Sequence, residues 1–331
     1  MIESADDPTV GKLSEGEVLR AILERLAMSS AVVGPGDDAA VLAAPDGRVV
    51  ATVDTLVHGP DFRLAWSSAF DLGWKAAAVN LADVAAMGAR PTALLVALAM
   101  PEDTRLSFVR GIAEGLRAAC ETLAPGCAVE GGDLTVSDTL TIAVTALGSL
   151  EGRNPVLRSG ARVGGTLAVA GELGAAGRGL ALLFDRFRDA ASAPIAVDET
   201  LLSAAEQTDL AAQLRPGPPI SLGAAAASAG AIALMDVSDG LVLDAARMAA
   251  ASGVTLSIDS SALGDAPASA LAGGEDHALL AVFPAGAALP EGFHRIGVVA
   301  ERGEHPVLVD GAAYAGRGGW DPYQDWDAAR G

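Results

Sequence analysis

Ala231-Ile232-Ala233-Leu234-Met235 runs into Asp236-Val237-Ser238-Asp239-Gly240, and this stretch decides the fold. Five apolar residues predict a short strand that enters an acidic turn. Leu241, Ala245, Met248 and Ala249 then recur at helical spacing, with Asp239 as the candidate N-cap. A strand, a carboxylate-bearing turn and a helix in succession form the setting in which α/β proteins place their sites. The arrangement is partly repeated at Gly273-Gly274-Glu275-Asp276, which precedes the apolar run Ala278 to Phe283.

The same alternation extends toward the amino terminus. Val49 to Val53 predicts a strand ending at Asp54, and a helix follows from about Phe70 to Met87, stopped by Gly88 with Pro91 beyond it. Asn80 and Asp83 stand three apart on that helix and share a side. Pro91 to Met100 reads as a strand and Leu106 to Glu121 as a helix. Gly131-Gly132-Asp133 reads as a glycine turn before a strand from Thr139 to Gly148. Upstream, Ser14 and Glu17 form a capping box, and Gly34-Pro35-Gly36-Asp37-Asp38 is a further acidic turn. Glycine, proline and polar residues interrupt the apolar pattern over Glu151 to Gly164, which places a domain boundary near residue 150. A second cycle then begins with a strand at Thr166 to Ala170 and a helix at Ala175 to Phe187. Strands alternating with helices define an α/β class.

Composition narrows the function. The formal charge of −20 over 331 residues excludes a basic nucleic-acid wrapper and gives no reason to expect an anionic membrane as partner. With 51% hydrophobic and 19% charged residues the chain is not of the disordered acidic class. Cys120 and Cys127 lack metal-binding spacing and read as structural thiols. No export signal or membrane span is expected, so the chain is assigned to the cytoplasm.

Asp37, Asp38, Asp54, Asp83, Asp133, Asp236 and Asp239 all lie beside glycine turns or strongly apolar segments. Burying several unpaired carboxylates is costly, whereas divalent ions can hold them together. Mg²⁺ with a phosphorylated ligand is the expected chemistry, since bridging cations reconcile phosphate with carboxylate. Neither GxGxxG nor the P-loop pattern occurs.

These segments resemble the thiamine-monophosphate kinase family, within the aminoimidazole ribonucleotide synthetase-like superfamily. The resemblance rests on Gly36-Asp37-Asp38, Asp54-Thr55-Leu56-Val57, Ala78-Val79-Asn80-Leu81-Ala82-Asp83 with Ala86-Met87-Gly88-Ala89, and Gly131-Gly132-Asp133. It continues through Arg158-Ser159-Gly160, Asp236-Val237-Ser238-Asp239-Gly240, Gly273-Gly274-Glu275-Asp276 and Gly319-Trp320-Asp321.

The resemblance implies an amino-terminal α/β domain over residues 1–150 that forms the core of a homodimer, followed by an α+β domain over 151–331. It implies ATP-dependent phosphorylation of thiamine monophosphate to thiamine diphosphate by direct in-line transfer. Asp37, Thr52, Asp54, Asp83, Asp133, Asp236 and Asp239 would then hold several Mg²⁺ ions. Gly131, Gly132, Arg158 and Ser238 would contact ATP, with Asp54, Asp133, Arg158 and Asp239 as the catalytic set and Asp61, Glu275 and Trp320 on the acceptor side. A monovalent cation such as K⁺ is compatible with this picture.

The chain departs from the family pattern where Asp61 replaces a histidine, Val53 a hydroxyl residue and Pro219 an arginine, and where Pro322 follows Asp321. Two alternatives follow: a related ATP-dependent enzyme with another acceptor, or a noncatalytic nucleotide- or metal-sensing paralogue. Lys75 and His277 are left outside the expected site.

Overall fold

The computed structural model describes residues 7–29, 31–35 and 39–320. Its first helix, α1 (Glu15–Leu23), opens on the expected capping box, with the Ser14 backbone N–H and hydroxyl both donating to Glu17 Oε2, at 2.8 and 2.7 Å. Strand β1 (Val50–Val57) leads to helix α2 (Ala69–Ala86), β2 (Arg90–Met100), helix α3 (Leu106–Leu123), β3 (Ala128–Val136) and β4 (Thr141–Ser149). These four strands form one sheet in the order β1-β4-β2-β3, with only the β2–β3 pair parallel.

Helix α2 is buried on almost every side and packs between this sheet and α3. Its alanines allow that approach, and so do two glycines. A side chain on Gly73 would run into the Ile112 carbonyl, and one on Gly115 would run into the Phe70 carbonyl.

A second sheet is built wholly from residue 166 onward. Strand β5 (Thr166–Ala170), helices α4 (Ala175–Arg186), α5 (Ala204–Leu214) and α6 (Ile220–Ser228), strand β6 (Ala233–Val237) and helix α7 (Leu241–Ser252) come first. Strand β7 (Thr255–Ile258), helix α8 (Pro267–Ala272) and strands β8 (Ala278–Phe283), β9 (His294–Ala300), β10 (Val307–Val309) and β11 (Ala312–Ala313) complete it. Its order is β11-β10-β7-β9-β5-β8-β6, with β7–β10 the parallel pair. The architecture is therefore mixed α/β with two mixed sheets. Among the described residues no helix is long and apolar enough to cross a membrane. Both cysteines are free and buried.

The two halves interlock along α2 and the loop before it. Trp66 packs with Leu183, Phe187, Leu202 and Leu210, and its indole N–H donates to the Phe187 carbonyl at 3.0 Å. The indole of Trp74 reaches the Pro216 carbonyl at 2.8 Å, and Gly223 of α6 sits against the backbone of Ala85.

Four local expectations are corrected. Strand β1 does not end at Asp54 but runs through it to Val57, because its pairing with β4 continues to Thr141. Gly131-Gly132-Asp133 is not a turn; it lies inside β3, where the absence of a side chain on Gly132 admits the close backbone of Val96. Strand β6 extends through Asp236 to Val237. Helix α7 is capped by Gly240 at φ 136°, a conformation that favours glycine, and not by Asp239.

Candidate functional site

The site begins with the alternation of β1. Thr52, Asp54 and Leu56 turn toward α2, while Val53 and Thr55 turn to the uncovered face. Helix α2 answers with the polar pair seen in the sequence. The Thr52 hydroxyl donates to Asp83 Oδ2 at 2.7 Å, and the Asp54 N–H donates to Asn80 Oδ1 at 2.9 Å. Asn80 is itself fixed by a bond from its amide nitrogen to the Ala76 carbonyl at 2.9 Å.

The second half delivers its carboxylates from the end of β6 and the turn after it. Asp236 meets His277 Nδ1 at 3.1 Å. Asp239 is held by Arg247 Nη1 at 2.5 Å, and the same nitrogen reaches the buried Asp244 at 2.6 Å. Asp244 Oδ2 also accepts the N–H groups of Asp239 and Gly240 at 3.0 and 3.2 Å, which fixes the turn.

Two segments distant in sequence close on this turn. The Glu275 N–H donates to the Ser238 carbonyl at 2.7 Å, the Trp320 N–H to the Asp239 carbonyl at 3.0 Å, and the Leu243 N–H to the Gly318 carbonyl at 3.0 Å. Glu275 and His277 both have positive φ, 73° and 55°, and each of the three consecutive side chains in that loop is anchored to a different element. Glu275 pairs with Lys75 of α2 at 2.5 Å, Asp276 accepts from the Gly174 and Ala176 N–H groups at 2.6 and 2.8 Å, and His277 holds Asp236.

The electrostatics of this crevice show mutual repulsion among acids. Burial raises the Asp54 carboxyl above its ordinary range; Asp236, Glu275 and Asp239 push it further while His277 pulls it back. Asp83 is raised to about 6 by burial and by Asp236 and Asp54, against the opposing Thr52 hydrogen bond. Asp244 also reaches about 6, chiefly through burial. Burial works against a charged His277, but the Asp236 hydrogen bond and charge prevail and its pKa is raised. Burial likewise opposes ionisation of Glu275, and the Lys75 ammonium more than offsets it, so Glu275 is lowered. Glu275 keeps 44% of its side-chain surface, as befits a group lining an open cleft.

Acids from both halves therefore meet in one crevice: Asp54 and Asp83 from the first, Asp236, Asp239 and Glu275 from the second. A set of hard oxygen donors short of positive charge suits a divalent ion of the Mg²⁺ type. As arranged, no three His, Cys, Asp or Glu side chains among the described residues form a ready-made metal cluster. Asp37 and Asp38 lie outside the described residues, as do Asp321 and Pro322.

Of the other expected site residues, Gly131, Gly132, Asp133 and Arg158 lie apart from the crevice. Asp133 is exposed on β3, in register with Ala97, Ala143 and Thr55, so three strand spacings, roughly 14 Å, separate it from β1. Gly131 and Gly132 go with it. Arg158 is exposed, and its carbonyl accepts from the Ser252 hydroxyl at the far end of α7, about 18 Å along that helix from Asp239. A cavity of about 550 Å³ beside it is lined by Arg153, Leu157, Ser159 and Ile232, and no carboxylate lines it. Asp61 turns back to accept the Val57 N–H at 2.7 Å, capping its own loop. Pro219 precedes α6 and packs near Gly171. Trp320, 49% exposed, stands over the Asp239 turn.

Sequence reasoning missed Lys75, His277, Asp244 and Arg247. Lys75 left one signal, as the only basic residue of its helix, and Asp244 and Arg247 left another, at helical spacing just after the Asp239 turn; His277 depends on long-range register.

This fold and crevice define a class. Residues 36–150 match the family model described as AIR synthase related protein, N-terminal domain. Thiamine-monophosphate kinase of Mycobacterium tuberculosis is 39% identical over 98% of this chain and 96% of its own length. That of Corynebacterium glutamicum is 42% identical over 95% of each. A solved structure described as AaThiL complexed with AMPPCP and TMP superposes with a TM-score of 0.72 at 32% identity, covering 93% of this chain and 96% of that one. The chain belongs to the thiamine-monophosphate kinase family.

Proposed function

We propose that this chain transfers the γ-phosphoryl group of ATP to thiamine monophosphate, giving thiamine diphosphate and ADP by direct in-line displacement. The observation that carries the reading is the convergence of Asp54 and Asp83 with Asp236, Asp239 and the Glu275 and Trp320 loops in one cleft. A homologous structure described as holding AMPPCP and TMP together supports the choice of both substrates.

Thr52, Asp54, Asp83, Asp236 and Asp239 are the described residues that would hold Mg²⁺, and the ion would supply charge compensation between carboxylate and phosphate. Asp37, Asp133, Gly131, Gly132 and Arg158 enter the proposal through the family resemblance alone. Within the chain, Asn80 holds the backbone at Asp54, Asp244 and Arg247 hold the Asp239 turn, and His277 orients Asp236. No side chain is needed as a strong base, because the attacking phosphate oxygen is already anionic. Trp320 offers an aromatic face to the thiazolium cation.

The reading includes two domains, 1–150 and 151–331, and a homodimer. Val53, 60% exposed, and exposed Thr55 and Ala97 leave the face of the first sheet opposite α2 uncovered among the described residues, with Asp133 on its far edge strand, and this face suits a second copy. One incubation with ATP, Mg²⁺ and thiamine monophosphate tests the activity. Equal amounts of ADP and thiamine diphosphate are expected; ATP consumption without thiamine diphosphate would reject the acceptor.

A further inference from the structure

Lys75 is 5% exposed, yet it lies in the wall of the cleft and not in the apolar core. An ammonium carries three donors. Glu275 Oε2 takes one at 2.5 Å. Gln213 takes a second at 3.0 Å once its amide is turned so that the nitrogen donates to the Ala176 carbonyl. The third has no acceptor among the described residues.

The surroundings say what that donor is for. Glu275 keeps 44% of its side-chain surface while Lys75 keeps 7%, so the ammonium lies beneath a carboxylate that itself faces the opening. Burial raises the Asp61 carboxyl and Glu275 adds to this, while the Val57 N–H, Lys75 and Arg63 oppose it, so Asp61, Glu275 and Lys75 are near enough for their charges to act on one another. A phosphate monoester entering there meets the acids Asp54, Asp61 and Glu275, and a dianion is repelled by each of them. Asp61 accepts the Val57 N–H through Oδ2, and an ionised carboxylate has no proton to donate to a phosphate. Of the buried cations near these acids, His277 is held by Asp236 and Arg63 lies over the Trp66 ring, which leaves the Lys75 ammonium to offset them, and lysine serves phosphate as a compact point charge.

We propose that Lys75 contacts the acceptor directly, its ammonium binding the phosphate group of thiamine monophosphate while Glu275 and Gln213 hold it in place. The inference rests on the proposed acceptor and adds the residue that selects its phosphorylated form over free thiamine.

Calorimetric binding of thiamine monophosphate and of thiamine, without ATP, tests it on the full-length protein, with melting temperatures recorded alongside. The wild type should bind the monophosphate at least tenfold tighter than thiamine. Lys75→Met should weaken the monophosphate at least tenfold and leave thiamine within about twofold, and Lys75→Arg should recover part of the loss. The exchanged pair Lys75→Glu with Glu275→Lys should regain melting temperature without regaining monophosphate affinity. Monophosphate binding unchanged in Lys75→Met, or fully restored by the exchange, would reduce Lys75 to a structural tie and overturn the inference. A wild type that binds no thiamine monophosphate would overturn the proposed acceptor, and this inference with it.

Discussion

Asp83 sits where ionisation is unfavourable, raised to about 6 by burial and by neighbouring acids. Its folded pKa exceeds the unfolded value of about 4, so the folded state binds the proton more tightly. Stability should fall as pH rises from about 4 to about 6, and the penalty should be complete above that. Asp83→Asn removes the charge while keeping an oxygen to accept from Thr52. At pH 7 it should raise the stability of the metal-free protein by about 1–3 kcal/mol, with no gain at pH 4. The same variant should abolish the rise in melting temperature that Mg²⁺ gives the wild type. Denaturation at the two pH values, with and without Mg²⁺, checks both. Asp54, Asp83, Asp236 and Asp239 were legible in the sequence because each lies beside a glycine turn or a strongly apolar segment. The Lys75–Glu275 pair was not, because a single lysine on an apolar helix looks the same whether it covers surface or meets a partner two hundred positions away.

Helix α2 connects the first sheet with the second half, and its position depends on glycine contacts with α3. A methyl group on Gly115 would press on the Phe70 carbonyl and the Trp74 nitrogen, both backbone atoms that cannot yield separately. Gly115→Ala should cost about 1–3 kcal/mol by urea denaturation. Gly16→Ala in α1, with nothing within 4 Å of the added carbon, should instead gain about 0.5–1 kcal/mol. Elements of strong period, such as α2, β2 and α3, were readable to within a few residues. The glycine pair of β3 was misread as a turn because sequence cannot distinguish a glycine that bends the chain from one that admits a neighbouring strand. Helices α5 and α6 went unread because their alanine-rich sequences give little contrast between an apolar and a polar face.

At the scale of the whole molecule, the face of the first sheet that turns away from α2 has no cover among the described residues. A homodimer through this face should be visible by light scattering, and Val53→Asp, which puts a carboxylate on its edge strand β1, should give a monomer. A wild type that remains monomeric at high concentration would reject this surface as an interface. The meeting of the two halves was beyond sequence reading, since strand order and register determine which acidic turns share a crevice. The single chain leaves Asp133 and Arg158 outside that crevice, so the claim of convergence stands on the four aspartates of β1, α2 and the Asp236 turn.

Mn²⁺ titrated against the protein with a nonhydrolysable ATP analogue, and followed by electron paramagnetic resonance, tests that claim most directly. Asp54→Asn in the first half and Asp236→Asn in the second should each weaken the same bound Mn²⁺ population by at least tenfold. Binding that is unchanged in either variant would mean that the two halves do not build one site, and would contradict the account.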